Sequence, residues 1–255
     1  MKMTFHQNGT LWQADLDAGV DVSIPVDGRG SGVQAWGLKP AEIRPHREGD
    51  FTGSVRAGAS VNFNDISFNP HAHGTHTECM GHITPEWESL WENPPPVWLL
   101  ATLVSIEPEV RGADRVVGGE QLKKALPAPV SKAVVLRTLP NLQAKKQTDN
   151  SRTNPPYMEP KGMEWLRSQG VDHLLLDLPS VDREEDGGAL AAHKAFWGLP
   201  EHPRPEATIT EFIYVPQHLM DGTYLLNLQV AAFDNDACPS RPVLFPLEAV
   251  GKQQG

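Results

Sequence analysis

NPHAHGTHTECMGHIT, residues 69–84, places four of the chain's ten histidines within twelve residues, at positions 71, 73, 76 and 82, and adds a carboxylate at Glu78. Neutral imidazole and carboxylate together suit divalent zinc, manganese or iron. On an extended segment side chains alternate, so His76 and Glu78 point to one side. Gly74 lets the backbone turn, which can bring His71 or His73 round to the same ion. If the chain turns helical after Thr77, Glu78 and His82, four apart, share a face. The pattern is not the HExxH of helical zinc proteases, and no Cys-x-x-Cys pair makes a structural finger. A closed structural site is more often rich in cysteine. A polar loop with incidental histidines would seldom combine them with a carboxylate and a hinge glycine. The segment therefore reads as a catalytic metal site.

At 255 residues the chain can bury a large core as one domain. Its net charge of −10 repels polyphosphate and argues against nucleic acid as a partner. Two cysteines, at 79 and 238, are too few for a disulfide scaffold and suit a reducing compartment. The opening MKMTFHQNGTLWQADLDAG lacks the apolar region of a secretory signal, and no apolar run is long enough for a membrane span. A soluble cytoplasmic protein without membrane contact is expected. The 22 glycines and 23 prolines are spread evenly, so turns separate short elements and long helical bundles are disfavoured.

Apolar, β-branched runs predict strands at GVDVSIPV (19–26), SVRAGASVNF (54–63), VWLLATLVSI (97–106), KAVVLRTL (132–139), VDHLLLDL (171–178) and YLLNLQVAAF (224–233). Helical periodicity fits GEQLKKAL (119–126), EPKGMEWLRSQG (159–170) and GGALAAHKAF (187–196). Residues 98–104 and 173–178 are apolar enough to lie in the middle of a sheet covered on both faces. No linker divides the chain, because ENPPPVW (92–98) runs straight into a core strand, so residues 1–255 read as a single domain. The polar stretch KKQTDNSRTNPPYMEP (145–160) reads as a surface loop rather than an active-site lid.

Gly74, Thr75, His76, Glu78 and His82 resemble the metal-dependent cyclase and kynurenine formamidase family, whose signature is H-x-G-T-H-x-D-x-P-x-H. The resemblance implies that His76 and Glu78 bind metal and that His82 shuttles protons. Three departures accompany it: Ala72 stands at the first histidine's position, Glu78 replaces aspartate and Met80 replaces proline. His71 is taken as the displaced first ligand, because His73, beside Gly74, would point away from His76 in a regular strand; His73 is the alternative. LDLPSVD (176–182) is similar to the family's D-T-P-S-V-D strand and loop, and a helix-borne histidine, His193, follows it. ATITEFIYVP (207–216) resembles the segment that carries a metal-bridging glutamate, here Glu211, and DVSIPV (21–26) resembles the D-I-S-x-P-L strand. Trp36 corresponds to a tryptophan that packs on substrate. The implied fold is α/β, a swivelling β/β/α domain of mixed sheets flanked by a few helices. One or two divalent ions are implied, zinc first and manganese as the alternative. A small-molecule substrate and a homodimer or homotetramer are implied as well.

Without the resemblance, His193 in ALAAHKAF would read as an ordinary packed side chain, Glu211 as a carboxylate at a helix start, and Trp36 as core filler. His173 reads as a satisfied core histidine, and Cys79 as a buried thiol facing away from its neighbour Glu78. His6, His46, His202 and His218 are assigned nothing. The implied activity is metal-dependent hydrolysis of a C–N bond in an aryl formamide or cyclic amide, with His82 as acid and base and with His193 and Glu211 completing a second metal position. The three departures also admit a non-catalytic member that binds a small ligand. A polyketide-type cyclase would use the same ligands with a different pocket.

Overall fold

Every residue of Ala133–Thr138 and of His173–Leu176 is buried. A strand with no exposed face belongs inside a sheet, and both lie there. Trp98–Ile106, Ala133–Thr138, His173–Leu176 and Thr208–Glu211 run parallel as successive neighbours. The computed structural model describes residues 1–7 and 9–252. Antiparallel strands extend this core on both sides. Gly222–Asn227, Val243–Lys252 and the hairpin Lys2–Gln7 with Thr10–Asp15 lie beyond Trp98–Ile106, while His76–Glu78 and Ala237–Pro239 lie beyond Thr208–Glu211.

Three short helices, Gly119–Ala125, Pro160–Ser168 and Ala191–Trp197, supply part of the parallel crossovers. Pro160 opens the second helix at a position where its missing N–H costs nothing. Their apolar sides, including Leu122, Met163, Leu166, Phe196 and Trp197, cover Val134, Leu136, Leu174 and Leu176. Ile213, Val215 and Leu219 cover the opposite face over Val135 and Leu175. The result is the mixed α/β architecture expected, with strand-rich layers and few helices. Among the described residues no helix is long and apolar enough to cross a membrane.

Three strand readings change, and the last, 224–233, ends as a strand at Asn227. Residues 54–63 form a 3-10 turn at Val55–Ala57 instead of a strand, because Ser54 O accepts the amides of Ala57 and Ala59 and ties the backbone locally. In GVDVSIPV only Val20–Asp21 is a strand. Beyond it Ser23 N is taken by Asp21 Oδ1 and Ile24 N by Thr75 Oγ1, so side chains replace a ladder. The N-terminal hairpin, which no sequence signal announced, caps one end of the sheet.

His173 is 3% exposed, and its Nδ1 lies 2.9 Å from Thr208 Oγ1. Burial is the main cause that lowers its pKa to about 4, with the charge of Asp172 opposing. The unfolded chain binds this proton near pH 6.5, so the neutral folded form loses stability as pH falls from 6.5 toward 4. The loss is on the order of 2–3 kcal/mol. His173→Asn is expected to flatten that part of the stability curve in urea unfolding at pH 7 and pH 4.5; an unchanged slope would contradict the assignment.

Candidate metal centre

The histidine segment is held by its own polar residues. Asn69 caps the 3-10 turn Pro70–Ala72, its side chain accepting from His71 N at 2.9 Å. Gly74 has φ +92°, and a Cβ there would lie 2.8 Å from Ile24 O, so both the turn and the close approach require glycine. Thr75 Oγ1 accepts from Ile24 N at 2.7 Å and donates to Phe212 O, lacing together three segments that border the site.

His76–Glu78 then enters the sheet, fully buried, between Thr208–Glu211 and Ala237–Pro239. The register sets His76 opposite Glu211, and directly opposed side chains share a face. His76 Nε2 accordingly lies 3.4 Å from Glu211 Oε2. Thr77 points to the other face and meets Thr210 Oγ1 at 2.8 Å. A 3-10 turn at Met80–His82 returns the chain, leaving His82 Nε2 3.9 Å from Glu78 Oε2.

Glu78 is the centre of the cluster. Its Oε1 is 3.0 Å from His193 Nε2, and its Oε2 is 3.2 Å from His71 Nδ1. Burial favours its neutral form, but the charges of His82 and His193 outweigh burial and hold it well below the ordinary carboxylate range. Burial likewise disfavours a charged His193, yet Glu78 and the bond to Asp182 raise its pKa to about 10. His71 is raised to about 10 against its own burial by its hydrogen bond to Asp236 and by the neighbouring Glu78 carboxylate. Burial, reinforced by the charge of Glu78, raises Glu211.

Sequence reasoning missed the roles of two carboxylates. Asp182, the last residue of the LPSVD loop, accepts from Ala192 N and His193 N at 2.7 and 3.2 Å and lies 2.6 Å from His193 Nδ1. It thereby starts the helix and turns the ring so that Nε2 faces Glu78; its place in the LPSVD motif was the available signal. Asp236 had none. Its Oδ2 lies 3.0 Å from His71 Nε2 and 3.5 Å from His82 Nδ1, and the two rings stack at 4.1 Å. Each of these imidazoles bridges Glu78 on the inside and Asp236 on the outside.

His71 faces the cluster and His73 does not. His73 Nδ1 accepts from Asn69 N at 2.9 Å, and its Nε2 donates to Lys39 O at 2.9 Å, so both ring nitrogens serve the loop. Trp36 donates through Nε1 to His71 O at 3.0 Å and stands 40% exposed. With Leu38, Asn69, His82, His193 and Glu211 it lines a cavity of about 370 Å³. Trp36, Leu190 and Phe212 all have positive φ, between 48° and 64°. Such strain gathers at functional sites. Cys79 is a buried thiol whose pKa burial pushes up to about 11, packed with Leu90 and Cys238 away from the carboxylates. Lys145, Thr148, Asn150, Thr153, Pro155 and Pro156 form part of the wall of a second cavity of about 300 Å³, where Lys145 Nζ donates to Asp177 at 2.7 Å.

The donor set fits a cation. His71, His76 and Glu78 each offer an atom within 4.8 Å of the others, as do Glu78, His82 and His193, and His71, His82 and Asp236. His76 Nε2 and Glu78 Oε2 are buried with no hydrogen-bond partner. Leaving such atoms unsatisfied costs about 1–3 kcal/mol each, and a divalent ion between them would satisfy both.

The family described as "Putative cyclase" matches residues 5–183. The chain belongs to this cyclase family. The match includes the histidine segment and Asp182, whereas His193, Glu211 and Asp236 lie beyond it. Among solved structures, one described as "The Structure Of Potential Metal-Dependent Hydrolase With Cyclase Activity" is similar with a TM-score of 0.64 at 13% identity, covering 89% of this chain and 96% of that one. A predicted metal-dependent hydrolase from Bacillus stearothermophilus gives 0.60 at 14% identity, covering 89% and 97%. Isatin hydrolase A from Labrenzia aggregata, bound to benzyl benzoate, gives 0.62 at 12% identity, covering 89% and 93%. Likeness at these identities establishes the shared cyclase fold. No curated protein matches the chain.

Gly74→Ala is expected to lower the unfolding free energy by roughly 1–3 kcal/mol. Gly58→Ala serves as the reference, since Gly58 has φ +97° and open space around its missing Cβ. Urea denaturation should show the larger loss for Gly74→Ala; equal losses would mean that the contact with Ile24 O is unimportant.

Proposed function

We propose that this chain is a metal-dependent hydrolase that opens the C–N bond of an aryl formamide or of a cyclic aryl amide. The observation that carries the reading is a fully buried carboxylate, Glu78, on which His71, His82 and His193 converge beside a cavity walled by Trp36 and Leu38. His71, His76 and Glu78 would hold one divalent ion, and Glu78, His193 and Glu211 a second. Nitrogen and oxygen donors of this kind suit zinc first and manganese next. When bound, such an ion supplies a Lewis acid and lowers the pKa of water from 15.7 to about 7. The isatin hydrolase named among the similar structures supports the cyclic-amide part of the reading.

The chain's own residues carry the proton and the substrate. His82, which lines the cavity and keeps 29% of its side chain exposed, is placed to accept a proton at Nε2 from the attacking water. As general base and then general acid, its imidazole takes that proton and returns it to the leaving nitrogen. The amide and water thus become a carboxylic acid and an amine. Asp236 fixes His82 through Nδ1, so Nε2 stays turned toward the reacting atoms. Trp36 and Leu38 offer a flat apolar wall suited to an aryl ring.

Chelator-stripped protein assayed with isatin and with N-formylanilide is expected to form product only after zinc or manganese is restored. His82→Ala is expected to lower kcat by roughly 10²–10⁴-fold while leaving bound metal, measured by elemental analysis, unchanged. A ligand-induced thermal shift without turnover in metal-loaded protein would overturn the hydrolase reading in favour of a binding protein on the same scaffold.

A further inference from the structure

Thr138 and Asp177 stand at the carboxyl ends of two neighbouring parallel strands, Ala133–Thr138 and His173–Leu176, where sheets of this kind usually place ligands. The second cavity, of about 300 Å³, opens there. Its floor is closed. Lys145 Nζ spends its three protons on Asp177 Oδ2 at 2.7 Å, Thr138 O at 2.6 Å and Thr138 Oγ1 at 2.8 Å, while Thr138 N and Oγ1 donate to Asp177 at 3.0 and 2.8 Å. The buried charges are thus matched to one another, and the floor has no free group to offer. Above it the walls are apolar, with Leu142, Phe212 and four prolines, Pro140, Pro155, Pro156 and Pro179. Proline fixes φ, so such a wall is formed before a ligand arrives and little ordering opposes binding. The loop that carries Pro155 and Pro156 is laced down as well: Asn150 N donates to Gln34 O at 2.8 Å, Gln34 N to Thr148 O at 3.1 Å and Asn154 N to Glu184 Oε2 at 3.0 Å.

One charge in the wall is unmatched. Arg115, on the strand Asp114–Val117, lines the cavity and makes one long contact, from Nη2 to Asn154 O at 3.5 Å. The acid beside it in sequence, Asp114, is already taken by Arg183 Nε at 2.9 Å, Asn154 Nδ2 at 2.9 Å and Tyr157 Oη at 3.3 Å. Among the described residues no carboxylate comes within ion-pair distance of Arg115. We propose that this cavity is a binding site for a small monocarboxylate with an apolar body, its carboxylate on Arg115 and its body against the prolines.

The chemistry selects that class. A guanidinium presents a planar fork that matches a carboxylate with two parallel hydrogen bonds, and a mostly apolar pocket with few polar groups takes a compact organic ligand. Arg115 and Lys145 against Asp177 leave the wall at +1 in a chain that carries −10, so an anion is drawn here and repelled by most of the remaining surface. The cavity of the metal centre, with Asp182, Glu184, Asp186 and Glu211 against Arg183, has side chains that do not favour an acid. The gap between the two cavities shares Trp36, Ser180 and Glu184 with one and Asn150, Pro155 and Pro179 with the other, and it encloses about 10 Å³, room for one water at most. A ligand on Arg115 is therefore a separate molecule and not the far end of one held at the metal.

Calorimetric titration of benzoate into the zinc-loaded full chain tests the inference without any turnover, so it stands or falls apart from the proposed activity. Saturable binding is expected with a Kd of about 1 mM or tighter. Arg115→Gln, at an exposed position, is expected to weaken it at least about tenfold. Benzyl alcohol, similar in shape but uncharged, is expected to bind the wild type no better than benzoate binds the variant. Should the variant misfold, benzoate-soaked crystals of the wild type decide: density is expected between Arg115 and the prolines. An absence of saturable binding, equal affinity in a folded Arg115→Gln, equal binding of benzyl alcohol, or density at the metal centre alone would each overturn the proposal.

Discussion

Glu78 carries its charge with no access to water, and the surrounding structure is organised around that fact. An ion so placed costs several kcal/mol unless it is paired and hydrogen-bonded. Three imidazoles approach it within 3.0–3.9 Å. Two outer carboxylates, Asp182 and Asp236, in turn hold those rings. Carboxylate, imidazole and carboxylate therefore alternate outward from the centre, and removing any member leaves a buried neighbour without its partner. His76 Nε2 and Glu78 Oε2 are the two atoms that this alternation does not satisfy.

Sheet topology delivers these groups. The parallel strands His173–Leu176 and Thr208–Glu211 end on the same side of the sheet, where the following LPSVD loop supplies Asp182 and the strand end supplies Glu211. The carboxyl ends of parallel strands are the usual place for a site in such sheets. His76–Glu78 joins Thr208–Glu211 in the antiparallel sense, which brings the histidine segment to that end. Ala237–Pro239 closes the other side and carries Asp236 in with it. Four stretches distant in sequence meet because two strand pairings fix their register, and a slip of one residue would turn His76 and Glu78 to the wrong face.

What the sequence revealed follows the range of the interactions concerned. The strands at 98–106, 133–138 and 173–176 were legible because burial on both faces demands continuous apolar runs, and the helices because their periodicity is local. The histidine cluster was legible by density alone, and Glu211 and His193 only through family resemblance. His71 was chosen over His73 on strand alternation, whereas what turns His73 away is the pairing of its two ring nitrogens with Asn69 and Lys39 after a 3-10 turn, which spacing could not show. Asp236 was invisible, since its partners lie more than 150 positions away and its neighbours Asp234 and Asn235 look equally polar. Residues 54–63 misled because Val55, Val61 and Phe63 give an apolar look to a stretch whose backbone bonds locally around Ser54 instead of joining a strand.

The central claim is that His71, His76 and Glu78 close around one divalent cation. Anomalous diffraction at the zinc edge, from crystals grown with the metal, measures this directly. The account predicts a peak about 2.0–2.2 Å from His71 Nδ1, His76 Nε2 and a Glu78 oxygen. Density confined to surface histidines, with these three donors still turned on one another, would contradict it.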